Sequence, residues 1–422
     1  MKNYYKMSIL LLTIIILGCE KEEIVKTVFQ DVPGDTVTVE VPVQVEVPGP
    51  TVTVQVPLPP AEYEFTRNGI STVYYTGQTT RLNQHDELKS AMNNTSSTKE
   101  GILGMFNDGV GFTDSSLDGS KKIGNKTAVN SAYSATNKAK FEAWVAEFTD
   151  IVIPAVVANT DAVAGTAGSI SDAGGGSRTG TKVNGKGHEM NQVFSKSLIG
   201  AFNLDQIINA NGSFGYVTNP KLDPVADDND AGVMHYTSPG SSVANVTKME
   251  HYWDEGFGYL YGQDDQYDPL LGQGGLLNDY LAGVDATYAV GIADAIYDAF
   301  KLGRAAIVAK DYTLRDEQAA IIKVELSKVV GAKAASYLRS GAGHVSNNNM
   351  ASAFHSLSEG YGFIFSLQYT QKADGAPYMS YDEVNEKLAE LDAGNGFWDR
   401  TPSELTSMAD AIDAATGINT NL

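Results

Sequence analysis

From about residue 62 onward, most apolar residues recur at helical spacing. Phe141, Trp144, Val145, Phe148 and Val152 predict a helix over 138–157, which Pro154 should kink or end. A short helix is predicted over 80–92, and a Gly- and Asp-punctuated loop over 101–126. Gly174-Gly175-Gly176 opens a predicted mobile loop to Gly187, and the next helix covers 188–209. A long apolar stretch runs from Leu276 to Val308; Thr313 opens a helix to about Leu338, and Ser346 one to about Tyr369. Thr247 with Glu250, Ser380 with Glu383 and Thr401 with Glu404 have capping-box spacing. One β signal is clear: Asn68-Gly69 between Tyr63–Arg67 and Ile70–Tyr75 meets the positive φ demands of a type I′ hairpin turn. The expected fold class is mainly α with a small N-terminal β-hairpin.

One stretch occurs twice. His251-Tyr252-Trp253-Asp254-Glu255-Gly256-Phe257-Gly258-Tyr259 returns as His355-Ser356-Leu357-Ser358-Glu359-Gly360-Tyr361-Gly362-Phe363. The shared pattern is His, three residues, Glu, Gly, aromatic, Gly, aromatic. On a helix His and Glu four apart share a face. Each helical Gly costs roughly 1 kcal/mol against Ala, so the pairs Gly256/Gly258 and Gly360/Gly362 call for close helix contact. Upstream, Ser195-Lys196-Ser197-Leu198-Ile199-Gly200-Ala201 is similar to Ser327-Lys328-Val329-Val330-Gly331-Ala332. The body therefore reads as two pseudo-repeated antiparallel helical bundles, 62–270 with the hairpin and 271–422.

Ahead of the body lie two further segments. Residues 1–18 carry Lys2 and Lys6, an apolar run from Ile9 to Leu17, and Gly18, the pattern of a signal peptide. With Cys19 next, it resembles a bacterial lipoprotein signal, which implies acylation of Cys19. Glu20, Glu22 and Glu23 resemble the export signal of surface-exposed lipoproteins in Bacteroidetes-type bacteria, which implies the outer face of the outer membrane; the alternative is a charged tether on the periplasmic face. Residues 19–61 then form an acidic and Pro/Val/Thr-rich spacer, in which Val32–Pro42 repeats as Val47–Pro57. Alternating β-branched residues and prolines favour extended backbone, and about 40 such residues reach roughly 100 Å.

Charge narrows the partners. Removal of Lys2 and Lys6 with the leader takes the formal charge from −21 to −23, which repels phosphate backbones and excludes nucleic acid. A single cysteine allows neither a disulfide framework nor a thiolate metal cluster within the chain. HExxH, nucleophile-elbow, Walker and dinucleotide motifs are all missing, so the reading leans away from an enzyme. The candidate chemistry is His251 with Glu255, His355 with Glu359, and His188 with Glu189. Imidazole and carboxylate on neighbouring helices can ligate iron or zinc. The same pairs can instead be hydrogen bonds that satisfy buried polar groups.

These features together, with Gly187-His188-Glu189-Met190-Asn191-Gln192 opening a helix, resemble the imelysin-like envelope proteins, and more closely an uncharacterised group of Bacteroidetes lipoproteins. The likeness covers about residues 62–420. It implies a two-bundle helical protein associated with iron uptake, whose hallmark Gly-x-His-x-x-Glu is degenerate here: Gly187 directly precedes His188, and Gln192 stands near the Glu place. The expected function is binding of a metal ion or metal complex in nutrient uptake. The alternatives are a carbohydrate- or peptide-binding accessory of an outer-membrane transporter, and a metallopeptidase.

Overall fold

The computed structural model describes residues 57–208, 215–237 and 244–422, with a two-residue strand pair, Thr13–Ile14 and Ile24–Val25, before them. The expected acylation at Cys19, the acidic cluster and the repeated spacer lie outside the described residues. Residues Pro59–Leu422 form one compact unit, mainly helical.

It opens on the expected hairpin. β1 (Thr66–Arg67) pairs with β2 (Ile70–Ser71), and Asn68 and Gly69 take φ of 55° and 74° between them. Helix α1 (Thr76–Ala91) begins four residues before its predicted start. The predicted loop over 101–126 contains a helical stretch, Lys99–Leu103, that runs into a π turn at Gly104–Asp108. Helix α2 (Ser134–Glu147) neither ends nor stops at Pro154; a π turn at Phe148–Val152 carries it to Val157. Ile153 N–H bonds back to the Phe148 carbonyl, so the register has shifted before Pro154, which sits in a first turn where its missing N–H does no harm.

The loop predicted to be mobile is tied down at both ends. β3 (Gly168–Ile170) pairs with β4 (Thr181–Val183), and Gly176 N–H donates to Asn349 Oδ1 at 2.9 Å. Helix α3 (Met190–Leu198) starts two residues after its predicted His188 and turns π over Ile199–Leu204. β5 (Met234–Thr237) pairs with β6 (Ala244–Thr247). Thr247 then caps α4 (Lys248–Tyr261), the first motif helix, in the predicted capping box.

The apolar stretch from Leu276 divides into α5 (Leu277–Thr287) and α6 (Ile292–Ala309). Helix α7 (Tyr312–Ser346) is capped by Asp311, whose Oδ1 accepts from Leu314 N–H at 3.0 Å; the predicted cap at Thr313 lies inside it. It continues past the predicted end at Leu338, and Ser346 closes it rather than opening the next helix. At 35 residues α7 is about 50 Å long, and α5, α6, the second motif helix α8 (Met350–Ser366) and α10 (Pro402–Thr416) all pack on it. Tertiary contact outweighs Gly341 within it, because Leu357 of α8 occupies the space a Cβ there would need. Helix α9 (Tyr381–Asp392) and α10 carry the two remaining predicted capping boxes. The expected boundary at 270/271 does not separate the packing: α3, from the first half, lies along α8. No helix among the described residues is long and apolar enough to cross a membrane.

A buried ionic cluster locks the hairpin to α4 and α6. Arg304, fully buried, donates to Asp254 Oδ1 and Glu250 Oε1 at 3.0 Å each and to Thr72 Oγ1 at 3.1 Å. Tyr63 Oη donates to Asp254 at 2.7 Å, and Arg67 to Glu250 Oε1 at 2.9 Å. Glu250 also closes the cap, accepting from Thr247 N–H at 2.7 Å. Burial alone would raise the Glu250 carboxyl; Arg304, Arg67 and the cap outweigh it and hold the group at about 2.

Two expectations follow. Glu250 titrates below its ordinary 4.5, so its contribution is fully present above that pH and is lost as pH falls towards 2, on the order of 3 kcal/mol in all. Urea melts between pH 5 and 2.5 should show this slope in the wild type and a flatter one in Glu250→Gln. A second test concerns space: a Cβ on Gly362 would lie 2.5 Å from Lys196 Cβ and 2.8 Å from Ser197 N, whereas one on Gly343 meets nothing. Gly362→Ala should cost about 2 kcal/mol, and Gly343→Ala should add about 1 kcal/mol, in the same denaturation assay.

Candidate functional site

Each motif helix presents its Glu to a polar centre, and the two centres correspond almost residue for residue. In the first, Glu255 Oε2 lies 3.8 Å from His251 Nε2, and Glu255 Oε1 accepts from Gln78 Nε2 of α1 at 2.6 Å. Tyr216 also hydrogen-bonds Glu255, and Lys221 lies 5.1 Å above the Tyr216 ring. Burial lowers the His251 pKa against the pull of Glu255, and it lowers Lys126 and Lys221 as well. His251 stacks on Tyr74 and bonds its backbone.

In the second, Glu359 Oε2 lies 3.4 Å from His355 Nε2, and its Oε1 lies 3.5 Å from Lys196 Nζ of α3. Tyr337 of α7 hydrogen-bonds Glu359, and Lys333 lies 4.2 Å above the Tyr337 ring. Burial lowers Lys196 strongly enough that Glu359 only partly restores it. Glu189 joins this centre, with Oε2 2.6 Å from His355 Nδ1, and its backbone N–H donates to Ser358 Oγ at 2.8 Å.

The motif glycines explain the correspondence. A Cβ on Gly256 would lie 2.9 Å from Val217 Cγ1, with Tyr216 Cβ at 3.4 Å, and one on Gly360 3.3 Å from Tyr337 Cβ. The residue after each Glu is thus bare where the tyrosine-bearing segment packs close. Gly258 meets Tyr75, beside α1, and Gly362 meets Lys196 of α3, so the second Gly admits the element that supplies Gln78 or Lys196. The position two before each Glu repeats the pattern in reverse, with Trp253 filling the bare face at Gly303 and Leu357 that at Gly341.

The predicted residues are therefore brought together in part. His355, Glu359 and Glu189 meet; His251 and Glu255 form their own centre; His188 turns away. Its Nε2 lies 2.9 Å from Asp392 Oδ1, off the line of a hydrogen bond, and its ring packs on Phe397 and Tyr361. Adjacent residues entering a helix diverge, which is why His188 and Glu189 part. For a shared cation the geometry is unfavourable. Glu189 and Glu359 face opposite nitrogens of His355, so the ring stands between them. The lysines near each Glu compete for the same carboxylate. Among the described residues no group of three or more His, Cys, Asp or Glu is disposed to hold a metal ion.

Beside the second centre lies a cavity of about 200 Å³. Lys196 and Tyr280 belong to its wall, with His85, Lys89, Ser195, Asp86, Asp279 and the loop Gly272-Gln273-Gly274-Gly275. Lys196 Nζ sits 5.0 Å over the Tyr280 ring and connects the cavity to Glu359. Of these wall residues only Ser195 and Lys196 stood out in the sequence, as part of the repeated segment and not as a site. The Gly-rich loop was the one available signal, since Gly275 comes within 2.9 Å of Asp86 Oδ1 at the place of a Cβ.

Burial separates the two centres in energy. Glu359→Gln removes the counter-charge of a buried lysine, whereas Glu255 has Gln78 and a partly exposed side chain. Glu359→Gln should cost about 3 kcal/mol and Glu255→Gln about 1 kcal/mol in chemical denaturation. Calorimetric titration with iron and zinc on wild type and both variants reads the metal alternative beside it: a marked drop in affinity caused by either Gln would favour ligation.

No curated protein and no solved structure matches the chain. A family model does, over residues 60–419, which takes in nearly all of the compact helical unit, both motif helices and the cavity. The chain belongs to the family described as Domain of unknown function (DUF4856).

Proposed function

We propose that this chain is a lipid-anchored envelope protein whose helical body captures a small zwitterionic solute, of the amino-acid or short-peptide kind, for an outer-membrane transporter. The observation that carries the reading is the cavity wall, in which two cations, Lys89 and Lys196, stand with two carboxylates, Asp86 and Asp279. Charges of both signs around a small volume suit a ligand that bears both, and Tyr280 and the glycine loop add an aromatic face and close backbone approach. The Cys19 leader and the Glu20, Glu22 and Glu23 cluster support anchoring and surface display. The Gly187-His188-Glu189 helix start supports kinship with imelysin-like proteins, in which iron uptake is the associated role. Bare iron or zinc at His251, Glu255, His355, Glu359, His188 and Glu189 has less support, since lysines, tyrosines and neighbouring carboxylates already engage these side chains.

The test is a panel of amino acids, dipeptides and mono- and disaccharides read by thermal shift and equilibrium dialysis. A zwitterion should raise the melting temperature of the wild type, and Lys89→Met should weaken its binding at least tenfold. Binding of sugars alone, or an affinity indifferent to Lys89, would overturn the reading.

A further inference from the structure

The same cavity holds an arrangement that no sequence motif announces. Ser195 Oγ lies 2.9 Å from His85 Nε2, and His85 Nδ1 lies 3.4 Å from Asp86 Oδ1. Asp86 Oδ2 accepts from Gln263 Nε2 at 2.7 Å, and Gln263 Oε1 accepts from Gly275 N–H at 2.9 Å. A line of contacts thus runs from the glycine loop through Gln263 and Asp86 to the imidazole and the hydroxyl. Ser195 and His85 are 2% and 3% exposed and both belong to the cavity wall, while half of the Asp86 side chain meets solvent. With the ring proton on Nδ1, towards Asp86, Nε2 is the acceptor and the Ser195 hydroxyl donates to it. Burial lowers the His85 pKa, which keeps the ring neutral and so free to accept a proton, although Asp86 pulls the other way.

We propose that Ser195 is a nucleophile, with His85 as its general base and Asp86 orienting that base, and that the cavity accepts small acyl esters. This rests on the cavity being a ligand site, as proposed above. Ser195 Oγ bonds to the ester carbonyl carbon while its proton passes to His85 Nε2. The carbon–oxygen bond to the alcohol then breaks, and the alcohol leaves with that proton. Water, giving its proton to the same nitrogen, releases the acid and restores the serine. The negative charge on the carbonyl oxygen develops in a cavity walled by Lys89 and Lys196. The Nδ1 contact of 3.4 Å lies off the line of a hydrogen bond, as catalytic contacts often do before substrate binds.

A fluorophosphonate probe tests this without a variant: Oγ–P bond formation expels fluoride, and peptide mapping locates the adduct. The full chain should gain one adduct, on Ser195, and should hydrolyse p-nitrophenyl acetate. Ser195→Ala should lose both signals and His85→Gln should slow labelling at least a hundredfold, whereas Ser197→Ala should label like the wild type. An unlabelled wild type, or an adduct mapped elsewhere, overturns the assignment whatever the variants do. A wild type that binds zwitterions yet resists the probe overturns this assignment alone; labelling at Ser195 with no zwitterion bound overturns only the binding reading.

Discussion

Everything in this fold that is specific depends on two helices being approached more closely than a side chain allows. Gly258 and Gly362 take the place where Tyr75 and Lys196 press in, Gly256 the place where Val217, next to Tyr216, does, and Gly360 packs close against Tyr337. Because backbone meets neighbour there, the Glu one or three residues earlier is brought within reach of a tyrosine and of a donor from another element. A larger residue at any of the four would hold the neighbours off and leave a buried carboxylate short of partners, the costly outcome for a charge inside a protein. The glycines and the His–Glu pair are thus one device, and its conservation between the two copies needs no ligand to explain it.

The copies diverge one residue before the Glu, and the divergence sets their roles apart. Asp254 in the first copy is taken by Arg304, Tyr63 and the Tyr74 N–H, which fastens the hairpin over α4. Ser358 in the second accepts the Glu189 N–H, which fixes the start of α3 along α8. The first centre is accordingly closed by the N-terminal segment. The second is flanked by α3 and α5, and there the buried Lys196 pairs with Glu359 and also belongs to the cavity wall. The cavity lies beside the second centre, with His85, Asp86 and Lys89 of α1 in its wall.

What could be read from the sequence follows the range of the interactions. Three capping boxes, the Asn68-Gly69 turn and the His–Glu spacing are settled within five residues of chain, and they stand where local chemistry puts them. The partners of the motif Glu could not be read, since Gln78 and Lys196 are 177 and 163 residues away along the chain; nothing marks out Gln78, and Lys196 is marked only by the repeated segment, which says nothing of Glu359. Helix lengths failed where tertiary packing overrode propensity. Gly341 should weaken α7, yet it is held by Leu357, and Pro154 should end α2, yet a π turn absorbs it.

The same reasoning bears on the net charge. An acidic protein has its cations as the scarce resource, and this one buries several of them beside aromatic rings: Lys196 over Tyr280, Lys333 over Tyr337, Lys221 over Tyr252. Desolvation lowers the pKa of each of these lysines, so each is kept charged at some expense. A lysine held that way for structure alone could be replaced by an apolar residue with little loss, provided its carboxylate went too. Lys221 and Lys333 stay within their centres and fit that description. Lys196 does not, since it pairs with Glu359 on one side and forms the cavity wall beside Ser195 on the other. It is the one side chain through which the repeated architecture and the chemistry of the cavity meet.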